Sequence, residues 1–103
     1  MDYVDTPTYA NIKGEYRVEV WIGQRCHWCA KWKARELPKL KRAGVKVEIK
    51  ETWRIPRSQW PKDLRKFPCI KVYRRKISIK TYNGYEKAET ILENVKHRVV
   101  LMR

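Results

Sequence analysis

The stretch from Val18 to Lys33 constrains the fold more than any other part of this chain. The apolar residues Tyr16, Val18, Val20 and Ile22 alternate with Arg17, Glu19 and Trp21, as in a β-strand with one buried face. A short loop through Gly23 and Arg25 follows, then Cys26-His27-Trp28-Cys29, then residues at helical spacing. A cysteine at a helix start lies in the positive field of the helix N-terminus, which favours its thiolate. A second cysteine one turn further on can exchange with it between dithiol and disulfide. The strand-to-helix junction therefore points to sulfur redox chemistry.

The rest of the chain reads as a frame for that junction. Cys29, Trp32, Leu37 and Leu40 form one helical stripe among Lys31, Lys33, Arg35, Lys39, Lys41 and Arg42. Pro38 has no N–H to donate, so it must bend or split this helix, and Gly44 is placed to cap its end. Val45, Val47 and Ile49 alternate with charged residues as a second strand. A strand–helix–strand crossover implies parallel pairing with a right-handed connection. Residues 51–57 read as a loop. Ser58 to Pro61 reads as the start of a short second helix, with Trp60, Leu64 and Phe67 facing inward. Residues 69–73 form a third strand, with either Ile70 or the Cys69, Lys71 and Tyr73 set facing inward. Ile77, Ile79 and Thr81 mark a fourth strand, joined through Arg74–Lys76 so tightly that an antiparallel hairpin is expected. After a break at Asn83-Gly84, residues Ala88, Ile91, Leu92 and Val95 place a last helix from about Glu86 to His97. Residues 1–14 read as an arm leaning on the domain through Tyr3, Val4, Tyr9 or Ile12, and residues 15–103 as one domain. On the far face of the first strand, Glu19 and Trp21 suggest partial cover rather than open water.

With 103 residues the chain suffices for one core, since a domain of this size buries about 60–65% of its extended-chain surface. No apolar run is long enough for a membrane span and no signal-like segment stands at the start, so a cytoplasmic protein that does not engage a membrane is expected. Three cysteines do not make a disulfide framework and fit a reducing compartment. The 25 Lys and Arg against 11 acids leave a formal charge of +14. Such a field speeds encounters with acidic protein surfaces or nucleic acid.

The order β-α-β-α-β-β-α, with the cysteine pair after the first strand and Phe67-Pro68 directly before the third, resembles the thioredoxin-like superfamily over about residues 15–98. The resemblance implies an α/β thioredoxin fold, a central mixed four-stranded sheet flanked by helices. The short N-terminal arm favours the compact core of glutaredoxins, and small phage-encoded glutaredoxins and thioredoxins are similar in build. By the same resemblance Cys26 is the nucleophile and Cys29 the resolving thiol. Pro68 is then cis and shapes a substrate groove with Trp28, Phe67 and Cys69, the backbone of Phe67 pairing with an extended substrate. Cys69 stands where many thioredoxins carry Thr; it either approaches the Cys26 sulfur or is a buried apolar strand residue. Glu19 is the candidate proton acceptor for Cys29, or else an acid paired with Arg17. Arg25, His27 and Lys31, with Lys33, are expected to stabilise the Cys26 thiolate and make the couple more oxidising than that of a typical thioredoxin.

The His27-Trp28 dipeptide departs from the Gly-Pro of thioredoxins and the Pro-Tyr of most glutaredoxins. Lys66-Phe67-Pro68 and Asn83-Gly84-Tyr85-Glu86 match only a Pro and a Gly of the glutathione-binding segments in glutaredoxins. The resemblance implies a monomer without bound cofactor or metal. It also implies electrons drawn from glutathione or a thioredoxin reductase and action on disulfide-bearing proteins, ribonucleotide reductase being one substrate in the family. Two other readings compete. Cys26, Cys29 and Cys69 with His27 or His97 number four ligands for zinc. Basic residues interleaved with Trp28, Trp32, Trp53 and Trp60 would make a stacking groove for single-stranded nucleic acid, as a secondary role or the main one.

Overall fold

Strand β1 (Tyr16–Ile22) is one of the two inner strands of the sheet. The computed structural model describes residues 15–95, so the N-terminal arm and residues 96–103, His97 among them, lie outside the described residues. As the alternation requires, Val18, Val20 and Ile22 are buried on one face. They pack with Cys29, Trp32 and Leu40 of the following helices and with Ile91 and Val95 near the end of the described chain.

Helix α1 (His27–Arg35) stops at Glu36, and α2 (Leu37–Arg42) begins at once with Pro38 in its first turn. Pro38 thus splits the helix, because a proline N–H is not missed in a first turn but is missed in an interior. Gly44 adopts φ of 84° at the end of α2, where a left-handed residue lets the chain turn without a Cβ clash. Strand β2 (Lys46–Glu51) then pairs parallel to β1, with Val18 opposite Val47 and Val20 opposite Ile49.

Strands β3 (Cys69–Arg74) and β4 (Ile77–Asn83) form the expected antiparallel hairpin, with an irregularity at Val72–Tyr73. Strand β3 also pairs antiparallel with β1, giving the order β2-β1-β3-β4. The mixed four-stranded sheet flanked by helices is therefore present. Helix α3 (Ala88–Leu92) packs on the same face as α1 and α2.

One expected element does not form. Between β2 and β3 the chain makes only two 3-10 turns, Thr52–Arg54 and Arg57–Gln59, and residues 61–68 are not helical. Pro61 and Pro68 bracket a stretch too short to repay helix nucleation. Its polar groups are taken by the hairpin instead. Asp63 receives the Lys71 ammonium at 2.8 Å and the Thr81 hydroxyl at 2.8 Å. The backbone N–H groups of Arg65 and Lys66 donate to the Asn83 side chain at 2.7 and 3.1 Å. This irregular connection covers the second face of the sheet, where Trp21, Cys69 and Lys71 are buried. Both faces of β3 are thus inward, Ile70 and Val72 toward the helices and Cys69 and Lys71 toward the connection.

Candidate active site

The end of β1 delivers the cysteines to the start of α1. Cys26 is the N-cap residue with extended backbone, and its Sγ accepts the N–H of Cys29 at 3.2 Å. A sulfur in the N-cap position takes the place of the usual hydroxyl or carboxylate acceptor, and there the helix field favours negative charge. Cys26 and Cys29 are joined as a disulfide, with Cα atoms 5.2 Å apart. Cys29 is buried in the core, whereas Cys26 is half-buried and both intervening residues are exposed. Of the two cysteines, Cys26 is therefore the one open to solvent.

A hollow of about 360 Å³ opens beside the pair, lined by Gly23, Arg25, Cys26, His27, Lys33 and Trp53 among others. Arg25 and His27 thus share a hollow with Cys26. Lys31 instead lies 4.8 Å from the Trp28 ring centroid and lines a second hollow of about 560 Å³, with Arg35, Tyr85 and Lys87.

The Phe67–Pro68 peptide is cis. The β1–β3 register sets Trp21 opposite Cys69, so Pro68 falls one step beyond, beside the end of β1 that leads to Cys26. Pro68 itself is fully buried, and its carbonyl accepts the Gly84 N–H at 2.8 Å. The Phe67 ring packs so closely on Gly23 that a Cβ there would lie 2.7 Å from Phe67 Cδ2. Gly23 is thus required by a neighbour 44 positions away rather than by its own turn.

Two expected site residues fall elsewhere. Cys69 is fully buried on the face opposite Cys29, next to Trp21 in the register, so it does not line the groove. Burial pushes its thiol up to about 11, which keeps it protonated and inert at neutral pH. Glu19 is also on that opposite face. Its carboxylate pairs with Arg17 and accepts the Trp21 indole N–H at 3.1 Å, so the sheet lies between it and Cys29. Glu19 stands between Val18 and Val20, which pack on the helices, so the period of two along β1 turns its side chain to the other face.

Residues missed by sequence reasoning complete the rim. Tyr85 sets its ring edge-on to Trp28 with centroids 5.9 Å apart and donates its hydroxyl to Glu36. Burial, followed by the adjacent Glu36 carboxylate, pushes the Tyr85 hydroxyl up to about 12. Glu36 is itself buried and accepts the Ala88 N–H at 2.8 Å. The Trp32 indole donates to the Glu86 carbonyl at 2.9 Å. These contacts fasten α1 and α2 to the start of α3. The only sequence signal for them is the Asn83-Gly84 break, which marks a turn without saying what it meets.

The described residues of the two competing readings stand apart from one another. Cys69 is across the sheet from the disulfide, and among the described residues no group of three or more His, Cys, Asp or Glu side chains converges as a metal site. Of the four tryptophans proposed to stack bases, Trp32 is in the core. Trp60 donates its indole N–H to the Ile55 carbonyl at 2.9 Å and packs against Phe67. Only Trp28 and Trp53 of the four are exposed.

No protein-family model matches the chain, and no curated protein matches it in sequence. Solved structures do match. Thioredoxin-2 of the malaria parasite, a component of its protein secretion machinery, superposes with a TM-score of 0.68 at 11% identity over 78% of this chain and 80% of that one. The germline-specific thioredoxin Deadhead of Drosophila melanogaster gives 0.61 at 13% identity over 80% and 78%. The periplasmic thioredoxin SoxS of Paracoccus pantotrophus, in reduced form, gives 0.59 at 17% identity over 79% and 95%. Likeness at such identities is likeness of backbone. The strand order, the cysteine pair capping α1 and the cis Pro68 before β3 agree with it, and the chain has the thioredoxin fold.

Proposed function

We propose that this protein is a thiol–disulfide oxidoreductase acting on disulfide-bearing proteins. The observation that carries the reading is the half-buried Cys26 sulfur at the helix N-cap, bonded to a buried Cys29. In the reduced protein the Cys26 thiolate attacks one sulfur of a substrate disulfide. A mixed disulfide forms and the other substrate sulfur leaves as a thiolate. Cys29 loses its proton and attacks the Cys26 sulfur, which releases the second substrate thiolate and restores the Cys26–Cys29 disulfide. Two electrons pass to the substrate, and each released thiolate takes up a proton. Glutathione or a thioredoxin reductase is proposed to return the electrons, and ribonucleotide reductase belongs to the class of substrates envisaged.

Arg25 and His27 beside Cys26 support a thiolate that persists below the ordinary cysteine range, and hence a couple more oxidising than a typical thioredoxin. Trp28 and the Phe67–Pro68 backbone are proposed to border the substrate. We further propose that the protein works in the cytoplasm; no helix among the described residues is long and apolar enough to cross a membrane.

The test is reduction of a protein disulfide with dithiothreitol as electron donor. Cys26→Ser is expected to abolish catalysis above the dithiothreitol background, whereas pre-reduced Cys29→Ser, mixed with the substrate after dithiothreitol is removed, is expected to accumulate a mixed disulfide. Turnover by the Cys26→Ser variant at the parent rate refutes the reading. Titration of the Cys26 thiolate by its ultraviolet absorbance tests the electrostatic part, and a midpoint at the free-cysteine value of about 8.5 refutes that part.

A further inference from the structure

We infer that the rim around Cys26 selects protein substrates whose disulfide lies in an acidic segment. The inference rests on the disulfide-exchange reading above and adds the substrate class.

Exposed indoles stand on two sides of the cysteine pair. Trp28, between the cysteines, is 52% exposed, and Trp53, across the hollow from Cys26, is 43% exposed. Exposed tryptophans of this kind serve as anchors in protein recognition. Each indole is set among cations. Arg25 and Lys33 share the hollow of Trp53 and Cys26. Lys31, Arg35 and Lys87 share that of Trp28.

The acids near the second hollow are already committed. Glu36 holds the Ala88 N–H and the Tyr85 hydroxyl, and Glu89 faces Lys39 at 3.5 Å. Elsewhere Arg17, Lys46, Lys50, Arg54, Lys71 and Arg74 each meet a carboxylate, whereas Arg75 and Lys76 in the β3–β4 turn, like several other surface cations, form no ion pair among the described residues. Arg25, Lys31, Lys33 and Arg35 form no ion pair among the described residues. The positive field at the reactive sulfur is therefore not cancelled locally, and it is best answered by Asp and Glu beside the incoming disulfide. A protein partner suits this surface better than single-stranded nucleic acid. Both exposed indoles flank a disulfide, which only another sulfur can exchange with, and Trp32 and Trp60 are not available to extend a track of stacked bases.

The experiment uses the pre-reduced full chain in single turnover with disulfide-bridged peptides of equal length, flanked either by Asp and Glu or by Lys and Arg. At about 10 mM salt the acidic peptide is expected to react at least roughly tenfold faster, and the ratio is expected to shrink several-fold at about 0.5 M, where screening acts over a few ångströms. Lys31→Glu with Arg35→Glu is expected to lower the ratio at least about fivefold; because a ratio is read, any change in the intrinsic reactivity of Cys26 cancels. Arg75→Glu with Lys76→Glu, in the β3–β4 turn at the far end of the sheet, is expected to leave it unchanged. Equal rates for the two peptides overturn the inference and leave the disulfide-exchange reading standing. So does an equal effect of the two reversal pairs, which would assign the preference to the net charge alone. Binding of a single-stranded oligonucleotide that is lost in the Lys31 and Arg35 variant, with no peptide preference, assigns the surface to nucleic acid and overturns it too. Failure to reduce either peptide overturns the disulfide-exchange reading itself.

Discussion

Replacing Glu36 by Ala tests how the helical layer is fastened beneath the rim of the candidate site. The Glu36 carboxylate accepts the N–H of Ala88, a residue with no exposed surface, and the Tyr85 hydroxyl, with Lys39 3.8 Å away. In Glu36→Ala the Ala88 N–H loses its acceptor without gaining water, which costs about 1–3 kcal/mol. The half-buried Tyr85 hydroxyl recovers part of its bond from solvent, so its loss adds about 1 kcal/mol. Relief of the buried carboxylate's own desolvation offsets some of this, which leaves a net loss of roughly 2–3 kcal/mol. For a domain of this size that lowers Tm by roughly 10 °C or more. Glu36→Gln keeps a carbonyl oxygen for Ala88 and an amide for Tyr85, and is expected to lose about 1 kcal/mol or less. Combining Glu36→Ala with Tyr85→Phe in a double-mutant cycle is expected to reveal a coupling of about 1 kcal/mol. Urea and thermal unfolding of the oxidised protein, followed by far-ultraviolet circular dichroism, measures all of these. A Glu36→Ala protein within about 0.5 kcal/mol of the parent, or a Gln variant as unstable as the Ala one, refutes the assignment.

The remaining predictions concern the sheet and its second face. Gly23→Ala drives a methyl into the Phe67 ring at 2.7 Å and is expected to destabilise by about 1–3 kcal/mol, measured by the same unfolding curves. The Lys71 ammonium holds the Asp63 carboxyl below its ordinary range. Because the folded-state value is the depressed one, this stabilisation is present above the unfolded value of about 3.9 and is lost as pH falls through the folded one. A Tm profile from pH 7 to pH 2 is therefore expected to fall less steeply below pH 4 in Asp63→Asn, and parallel profiles refute the pairing. Cys69, buried with its thiol at about 11, is expected to escape iodoacetamide in the reduced native protein while Cys26 is alkylated. Mass spectrometry of the labelled peptides reads this, and equal labelling of the two refutes it.

What the sequence determined by itself lies within a few residues of its cause. The alternation from Tyr16 to Ile22, the cysteine pair opening α1, the split at Pro38, the left-handed Gly44 and the tight β3–β4 hairpin each follow from local periodicity or from a residue's own backbone limits. The strand–helix–strand order then restricted the topology, because parallel pairing of β1 with β2 needs a crossover. Tertiary structure decided whatever depends on a partner far along the chain. The bonds of Trp32 to Glu86 and of Glu36 to Ala88 span 54 and 52 positions. No local signal announces them. The same holds for residues 61–68, where Asp63 and Asn83 fix an irregular path that a run of spaced apolar residues suggested was helical. Face was the other unknown. The resemblance offers Glu19 as proton acceptor for Cys29 and Cys69 as a groove residue, yet the pleat turns both to the far side of the sheet. A period of two makes such an assignment reverse with a one-residue offset, so only the paired register settles it.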